Sequence, residues 1–170
     1  MNFEELIRKR EACRKFSDKE ISDSDIAKIL ESGRCAPTAK NMQPYKIMVI
    51  KSNEGIKKID ECSPCRYNAP VVLLVCGNED EAWHNENEDY PTTYVDAAIV
   101  TTHMMLEATN LGLDTTWIRY FDSNKLRKEF NLSDNLTPIC LLNLGYKSPD
   151  YGGNPNHKIR KDINELVKYL

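Results

Sequence analysis

The sequence contains no apolar run of the roughly 20 residues that a transmembrane helix requires. Its first ten residues, MNFEELIRKR, also lack the apolar core of a secretory signal. From these two absences we expect a cytoplasmic protein that has no membrane partner.

The chain also lacks an excess of positive charge. Its 23 Lys and Arg residues are outnumbered by 26 Asp and Glu residues, which gives a formal net charge of −3 and a pI of about 5.7. Domains that bind nucleic acids usually carry a strongly basic surface. We therefore expect no nucleic-acid partner.

Side chains in the pattern of a catalytic triad are missing as well. The three histidines, His84, His103 and His157, are scattered along the chain. His103 lies in an apolar segment, where a histidine packed in the core is the simpler interpretation. The sequence therefore contains no convincing catalytic triad.

Six cysteines are present, and two of them form the C-x-x-C pair Cys62 and Cys65 in the stretch ECSPCRYN. A reducing compartment favours free thiols over a disulfide framework. The pair has three interpretations: incidental thiols on a loop, a redox-active dithiol, or half of a zinc site. A structural zinc site usually needs four ligands, and the chain has no second C-x-x-C and no H-x-H.

Helical and strand patterns alternate along the 170 residues, a length that suits one domain able to bury about 70% of its unfolded surface. They predict a layered α/β or α+β fold with about four strands and a large central helix. The predicted helices are 2–10, 22–33, 53–60, 94–112, 123–130 and part of 159–170, and the predicted strands are 45–50, 69–77, 114–118 and 138–146.

The longest periodic segment, 94–112, is apolar on almost every side. A helix of this kind is buried, either in a core or in a subunit interface. Gly112 is placed to end the helix in a left-handed conformation.

The stretch RCAPTAKNMQPYKIMVI, residues 34–50, has short polar groups between two prolines. Pro37 and Pro44 stiffen the backbone, and Thr38, Asn41 and Gln43 offer hydrogen-bonding groups. Amides suit a flat heterocycle that alternates donors and acceptors, such as the pyrimidine edge of a flavin. The alternative is a turn whose polar groups satisfy their own backbone.

Two basic runs lie near opposite ends of the chain, RKREACRKF at 8–16 and HKIRK at 157–161. Each can be a solvated surface or part of an anion site, since arginine binds phosphate oxygens through paired hydrogen bonds. If the two runs meet in the fold, both can serve the same phosphate.

Four segments, in order, resemble the nitroreductase family of FMN-dependent NAD(P)H oxidoreductases. The run 8–16 is similar to the family element Arg-Arg-Ser-x-Arg-x-Phe, and APTAKNMQPY to Ala-Pro-Ser-x-x-Asn-x-Gln-Pro-Trp. The stretch DAAIVTTHMMLEATNLGLDTTWI resembles the long central helix that leads into Gly-Leu-Gly-Thr-x-Trp-Ile. The last segment, NLGYKSP to HKIRKDINELV, resembles the closing element with Lys-x-Arg-Lys.

The resemblance implies a mostly antiparallel central sheet, a long buried helix, and a homodimer with FMN at the subunit interface. Residues 1–170 would be one FMN-binding domain, in which the extension 147–170 contributes to the cofactor site and the dimer. FMN would pass hydride from NADH or NADPH to a small oxidised molecule, such as a nitroaromatic or a quinone, by a ping-pong mechanism.

The same resemblance implies which residues bind the cofactor. Arg10, with Lys158 and Arg160, would bind the FMN phosphate, and Arg14 would lie at the N1/O2 edge of the flavin. The partner subunit would supply four residues that hold the flavin ring, and Gln43 would lie nearby. The backbone near Thr116 and Trp117 would lie at the flavin N5 edge. The four partner-supplied residues are Pro37, Thr38, Ala39 and Asn41.

Some positions depart from the family pattern. Glu11 stands where the family has its second Arg, Ala12 where it has Ser, and Asp114 where it has Gly. Positions 11 and 12 still belong to the expected cofactor-binding element. The departures keep one alternative open: a redox-sensing or metal-binding module that uses Cys62 and Cys65 and has a degraded flavin site.

Overall fold

The computed structural model of the chain describes residues 1–87 and 92–170. Short 3-10 turns lie at Ala39–Asn41 and Glu79–Glu81. The helices are α1 (Phe3–Lys9), α2 (Asp23–Arg34), α3 (Asn53–Cys62), α4 (Thr93–Asn110), α5 (Ser123–Glu129) and α6 (Ile163–Leu166). The strands are β1 (Tyr45–Ile50), β2 (Val71–Asn78), β3 (Asp114–Ile118) and β4 (Leu136–Gly145).

The four strands form one sheet in the order β1-β2-β4-β3, and each neighbouring pair is antiparallel. Strands β1 and β3 are therefore the two edges. In the register, Tyr45 pairs with Gly77 at one corner, and Thr116 pairs with Asn143 near the diagonally opposite corner. The predicted α+β fold with a mostly antiparallel sheet is confirmed.

The residues of strand β2 show that both faces of the sheet are covered by helices. All eight of its residues are buried, as its continuous apolar sequence predicts. On one face Leu73 packs in a core with residues of α2 and α4, including Met104. On the other face Leu74 packs with Ile59 of α3 and Leu126 of α5.

Helix α4 buries one face in this core and leaves the other exposed. Its C-terminal end was predicted correctly, because Gly112 follows it with φ of +83°. Val95 is 48% exposed and Tyr94 is 40% exposed, so the core of this chain covers only part of the helix, and burial of the rest in a subunit interface stays a prediction. Among the described residues no helix, α4 included, is both long and apolar enough to cross a membrane.

The C-terminal tail has less helix than its apolar pattern predicts. Only one turn, α6, is formed, and its apolar residues Ile163 and Leu166 are exposed. A helix this short is marginal without a packed face, and no core formed by residues 1–87 and 92–170 covers this one. The pattern correctly identified the apolar side but overestimated the helix length.

The segment after α1 lies along the edge strand β3. Ala12 pairs with Thr115 in parallel orientation, and the Cys13 N–H donates to the Thr115 carbonyl at 2.9 Å. Phe16 is buried and its N–H donates to the Tyr67 carbonyl at 3.0 Å. This pairing fixes the first basic run against the sheet.

We predict that Gly145→Ala destabilises the fold at the point where Phe16 packs. A Cβ on Gly145 would lie 2.7 Å from Phe16 Cδ1 and 2.9 Å from Pro70 Cδ, and neither rigid ring can move away freely. We expect the free energy of unfolding in urea to fall by about 1–3 kcal/mol. Gly152→Ala is the control, because nothing lies within 4 Å of its Cβ position. Equal unfolding midpoints for both variants would contradict this packing.

Candidate functional site

The first basic run is held beside β3 through the backbone N–H and the backbone carbonyl of a buried cysteine. Cys13 is fully buried, and its carbonyl accepts a hydrogen bond from the Thr116 hydroxyl. Arg10 and Arg14 flank this anchor and are half-buried and exposed, respectively. Thr116 thus contacts the first basic run, whereas the next residue of β3, Trp117, packs against the core formed with α2 and α4.

The C-terminal segment returns to this same N-terminal run. The Ser148 N–H donates to the Lys15 carbonyl at 2.9 Å, and the Tyr151 hydroxyl donates to the Ala12 carbonyl at 3.1 Å. Further along, Nε2 of His157 lies 2.9 Å from the carbonyl oxygen of Arg8. The structure therefore brings the two basic runs together.

Arg10 and Arg160 are the two cations that this return brings close. Burial lowers the pKa of Arg10, and the charge of Arg160 lowers it further, while Glu11 acts in the opposite direction. The Arg160 guanidinium donates to the carbonyls of His157 and Ile159, at 2.5 and 2.7 Å. Two guanidinium groups so placed repel one another and favour an anion between them. Lys158 is exposed on the same tail.

Glu11 and Asp114, two departures from the family pattern, both contact Lys147. The Lys147 ammonium lies 4.0 Å from Glu11 Oε1, and its backbone N–H donates to Asp114 Oδ2 at 3.0 Å. The three residues line a cavity of about 190 Å³ at the C-terminal end of α4. The carboxylate of Glu11 therefore has a cation beside it, and Asp114 holds the loop that supplies this cation.

Tyr67 extends the site beyond the residues that the sequence indicated. Burial raises the pKa of its phenol, and its backbone carbonyl accepts the Phe16 N–H at 3.0 Å. Tyr67 and Asn68 both have positive φ, +56° and +64°. Sequence analysis missed Tyr67, and the only signal was its place just after the C-x-x-C pair.

The loop 37–43 is rigid and partly satisfies its own polar groups. Lys40, Asn41 and Gln43 have positive φ of 47°, 56° and 53°, which is unusual for residues other than glycine. The Thr38 hydroxyl accepts the Gln43 N–H at 3.0 Å, and the Gln43 amide donates to the Asn41 carbonyl at 3.0 Å. These two side chains therefore satisfy part of the loop's own backbone, as the alternative interpretation predicts. Pro37 and Asn41 are exposed.

Asp96 of α4 anchors this loop. It is 2% exposed, and its Oδ1 accepts the Ala39 N–H at 2.8 Å. Asp96 and Ala39 border a cavity of about 290 Å³, which Trp83 and Ile99 also line. Sequence analysis missed Asp96 and Trp83, because no local pattern relates either residue to the loop.

One chain does not bring the loop 37–43 to the basic cluster. Asp96 contacts the loop, whereas Thr109 borders the cavity next to Glu11, and these two residues lie thirteen positions apart on α4, about 20 Å. Strands β1 and β3 are also separated by three strand spacings, about 14 Å. The predicted site residues thus form two groups.

The C-x-x-C pair lies at the end of α3. Cys62 is buried, and this burial raises the pKa of its thiol, while Cys65 is half-buried. Within residues 1–87 and 92–170, no three His, Cys, Asp or Glu side chains are grouped as a metal ion would require.

Comparison with known proteins agrees with the resemblance in sequence. Residues 7–65 and 62–146 match the profile of the Nitroreductase family. A relative from Methanothermobacter thermautotrophicus, named NADH dehydrogenase/NAD(P)H nitroreductase, is 28% identical over 160 residues, which cover 89% of this chain and 81% of the relative.

Solved structures agree as well. A nitroreductase family protein from Clostridium difficile 630 is 41% identical, with a TM-score of 0.93 over 99% of this chain and 98% of its own. A protein from Exiguobacterium sibiricum 255-15, solved in complex with FMN, shares the fold at 22% identity, with a TM-score of 0.86 over 100% of this chain and 98% of its own. The family profile covers well over half of the chain, and the chain therefore belongs to the nitroreductase family.

Proposed function

We propose that this chain is an FMN-dependent oxidoreductase that transfers a hydride from NADH or NADPH to a small oxidised molecule, such as a nitroaromatic or a quinone, by a ping-pong mechanism. The observation that carries the proposal is the return of the C-terminal basic run to the N-terminal one, where Nε2 of His157 lies 2.9 Å from the Arg8 carbonyl oxygen and the charge of Arg160 lowers the pKa of Arg10. The names of the relatives and the FMN complex of a structural neighbour support it.

The phosphate of FMN fits the basic cluster. An anion between Arg10 and Arg160 would remove their mutual repulsion, and arginine can bind phosphate oxygens through two parallel hydrogen bonds. Lys158 would add a third cation from the same tail. Glu11 does not oppose this binding with its full charge, because Lys147 lies beside it.

The residues of β3 and the first basic run would bind the ring. The backbone of Thr116 and Trp117 would border its reactive edge, and Arg14 would lie at the pyrimidine edge. Ala12 has no hydroxyl to donate, so its contribution would come from the backbone. When bound, FMN supplies the hydride-transfer chemistry, which is why no catalytic side chain is required.

A second copy of the chain would supply the loop 37–43. The loop and the basic cluster lie near opposite ends of α4, so an antiparallel copy across the exposed face of this helix would exchange their positions. The twofold axis would pass near Thr102 and His103, which line the apolar groove on that face with Val95 and Ile99. Pro37, Thr38, Ala39, Asn41 and Gln43 of each copy would then reach the flavin of the other.

In this arrangement residues 1–170 form one FMN-binding domain, and the extension 147–170 serves both the site and the dimer. Its exposed apolar residues, including Ile159, Ile163 and Leu166, would pack on the second copy. This packing would account for an apolar helical pattern in a tail whose apolar residues the described part of its own chain leaves exposed.

We expect Arg10→Ala to weaken FMN binding by roughly ten- to hundredfold, because it removes a charged hydrogen bond to the phosphate. The urea midpoint should change little. Arg8→Ala is the control, since it removes the same charge from a side chain that pairs with Glu4 at the surface. Fluorescence titration of the apoprotein with FMN measures both variants, and full cofactor retention by Arg10→Ala would refute the phosphate assignment.

The dimer is tested by placing a charge on the exposed face of α4. Val95→Glu should produce a monomer in sedimentation analysis and should lose FMN, because a buried unpaired carboxylate opposes association. Val49→Glu is the control, a comparable change at a valine of β1 that is 38% exposed. A Val95→Glu protein that stays dimeric and keeps its FMN would contradict the arrangement.

The remaining alternative, a redox module at Cys62 and Cys65, makes a different prediction. We expect the thiol count of the denatured protein to stay at six after mild oxidation, because burial keeps Cys62 protonated and slow to react. A count lower by two in the natural protein, but not in Cys62→Ser, would establish the redox pair.

A further inference from the structure

We propose that Asp96 is a positioning residue for the cofactor that the other copy of the chain holds. Its carboxylate fixes the loop 37–43, and this loop would reach the flavin of the other copy. The inference rests on the proposed function and deepens it, because it gives a buried residue of one copy a part in FMN binding by the other. The observation that carries it is the hydrogen bond from the Ala39 N–H to Asp96 Oδ1 at 2.8 Å.

Asp96 connects the loop to the rest of the fold. Within residues 1–87 and 92–170, it is the only side chain outside the loop that forms a hydrogen bond with residues 37–43. The other two side-chain hydrogen bonds of the loop are internal, from the Gln43 N–H to the Thr38 hydroxyl and from the Gln43 amide to the Asn41 carbonyl. Removal of the Asp96 carboxylate therefore breaks the hydrogen bond that joins the loop to α4.

The backbone of the loop is strained directly after this hydrogen bond. Lys40, Asn41 and Gln43 have positive φ, a conformation that is unfavourable for residues with a side chain. Strain of this kind persists only where the surroundings impose it. Because Ala39 immediately precedes Lys40, its hydrogen bond to Asp96 holds the loop at the point where the strained stretch begins.

The burial of the Asp96 carboxylate disfavours the folded state unless the contact with the loop is needed. The residue is 2% exposed, and among the described residues its second oxygen, Oδ2, has no hydrogen-bond partner. A buried charged group with an unmet hydrogen bond destabilises a protein. The place of Asp96 in the first turn of α4, where the helix dipole favours a carboxylate, offsets part of this effect. The contact with the loop accounts for an acidic residue at this buried position.

The position of Asp96 on α4 relates it to the flavin of the other copy. It lies about 20 Å along the helix from Thr109, which borders the cavity next to Glu11 at the basic cluster of its own chain. In the proposed dimer, the loop of one copy would meet the flavin whose phosphate Arg10 of the other copy binds. A loop that is already fixed loses less conformational freedom when the ring binds. Loss of Asp96 in one copy would therefore weaken FMN binding by the other.

The first test compares FMN affinities by fluorescence titration of the apoproteins. Asp96→Ala should weaken binding roughly five- to fiftyfold, because it removes a hydrogen bond to a charged group. Asp96→Asn keeps an oxygen acceptor for the Ala39 N–H and should bind FMN within roughly threefold of the natural protein. Thr101→Ala is the control for a disturbance of α4, because its buried hydroxyl donates to the Ala97 carbonyl of the same helix at 2.7 Å. Natural affinity in Asp96→Ala, or an equal loss in Thr101→Ala, would overturn the inference.

A mixed dimer tests whether the effect crosses between the copies. One copy carries Asp96→Ala, the other carries Arg10→Ala, and two different affinity tags isolate the mixed species. One site then combines the intact Arg10 of the first copy with the intact loop of the second, while the other site has both defects. We expect one tightly bound FMN per mixed dimer, and none in either parent dimer at the same FMN concentration. A mixed dimer without a tight site would show that Asp96 acts only within its own copy.

Different outcomes separate this inference from the proposed function. If the natural protein binds no FMN, or if Arg10→Ala retains it fully, the proposed site fails and the inference fails with it. If the natural protein is a dimer that binds FMN, Arg10→Ala weakens this binding, and the mixed dimer still has no tight site, only the inference is overturned.

A second variant keeps the test decisive if Asp96→Ala does not fold. Asp96→Leu also removes the acceptor of the Ala39 N–H, but it fills the space of the carboxylate and buries no charge. We expect it to keep the urea midpoint of the natural protein, to bind FMN as weakly as Asp96→Ala, and to form one tight site when paired with Arg10→Ala. Natural FMN affinity in Asp96→Leu would refute the positioning role.

Discussion

The backbone pairing of the segment 12–16 with the edge strand β3 is the constraint on which the candidate site depends. It satisfies donors and acceptors that an edge strand would otherwise expose, and it buries Cys13 and Phe16 as anchors. Arg14 lies between these two anchors, and Arg10 lies shortly before them. The same pairing therefore fixes where both cations lie. The returning C-terminal segment and the turn that carries Tyr67 dock on this segment rather than on the sheet alone.

The positive charges that meet at the site lower the stability of the folded protein when no anion is bound. Arg10 is half-buried beside Arg160, and like charges held together weaken a folded state unless an anion joins them. An anionic ligand that binds only the folded protein stabilises it by mass action. In the proposed dimer, cofactor binding and association would reinforce each other, since each flavin would be held by residues of both copies.

The sequence predicts the parts of this fold that local patterns determine. The continuous apolar run of β2, the period of α4 and the left-handed Gly112 each correspond to the structure. The tail helix was predicted too long, because the apolar pattern does not tell whether its own chain covers it. The family motifs predict both groups of residues, but the separation of about 20 Å between the groups follows only from the length of α4 between Asp96 and Thr109.

Contacts between distant segments were beyond sequence analysis. The role of Asp96 depends on a loop 57 positions away, and the Phe16 N–H pairs with the carbonyl of Tyr67, which no local pattern relates to it. The same holds for Glu11 and Asp114, which looked unfavourable one at a time. Both become reasonable once Lys147 is seen to contact each of them.

The shared contact of Lys147 has a consequence for how related sequences diverge. A basic residue at position 11 would place a like charge beside Lys147, and an acidic residue at 147 would leave Glu11 without a cation. Glycine at 114 would also remove the carboxylate that holds the loop. Positions 11, 114 and 147 should therefore be inherited as a set, so that a lineage which changes one of them changes the others with it.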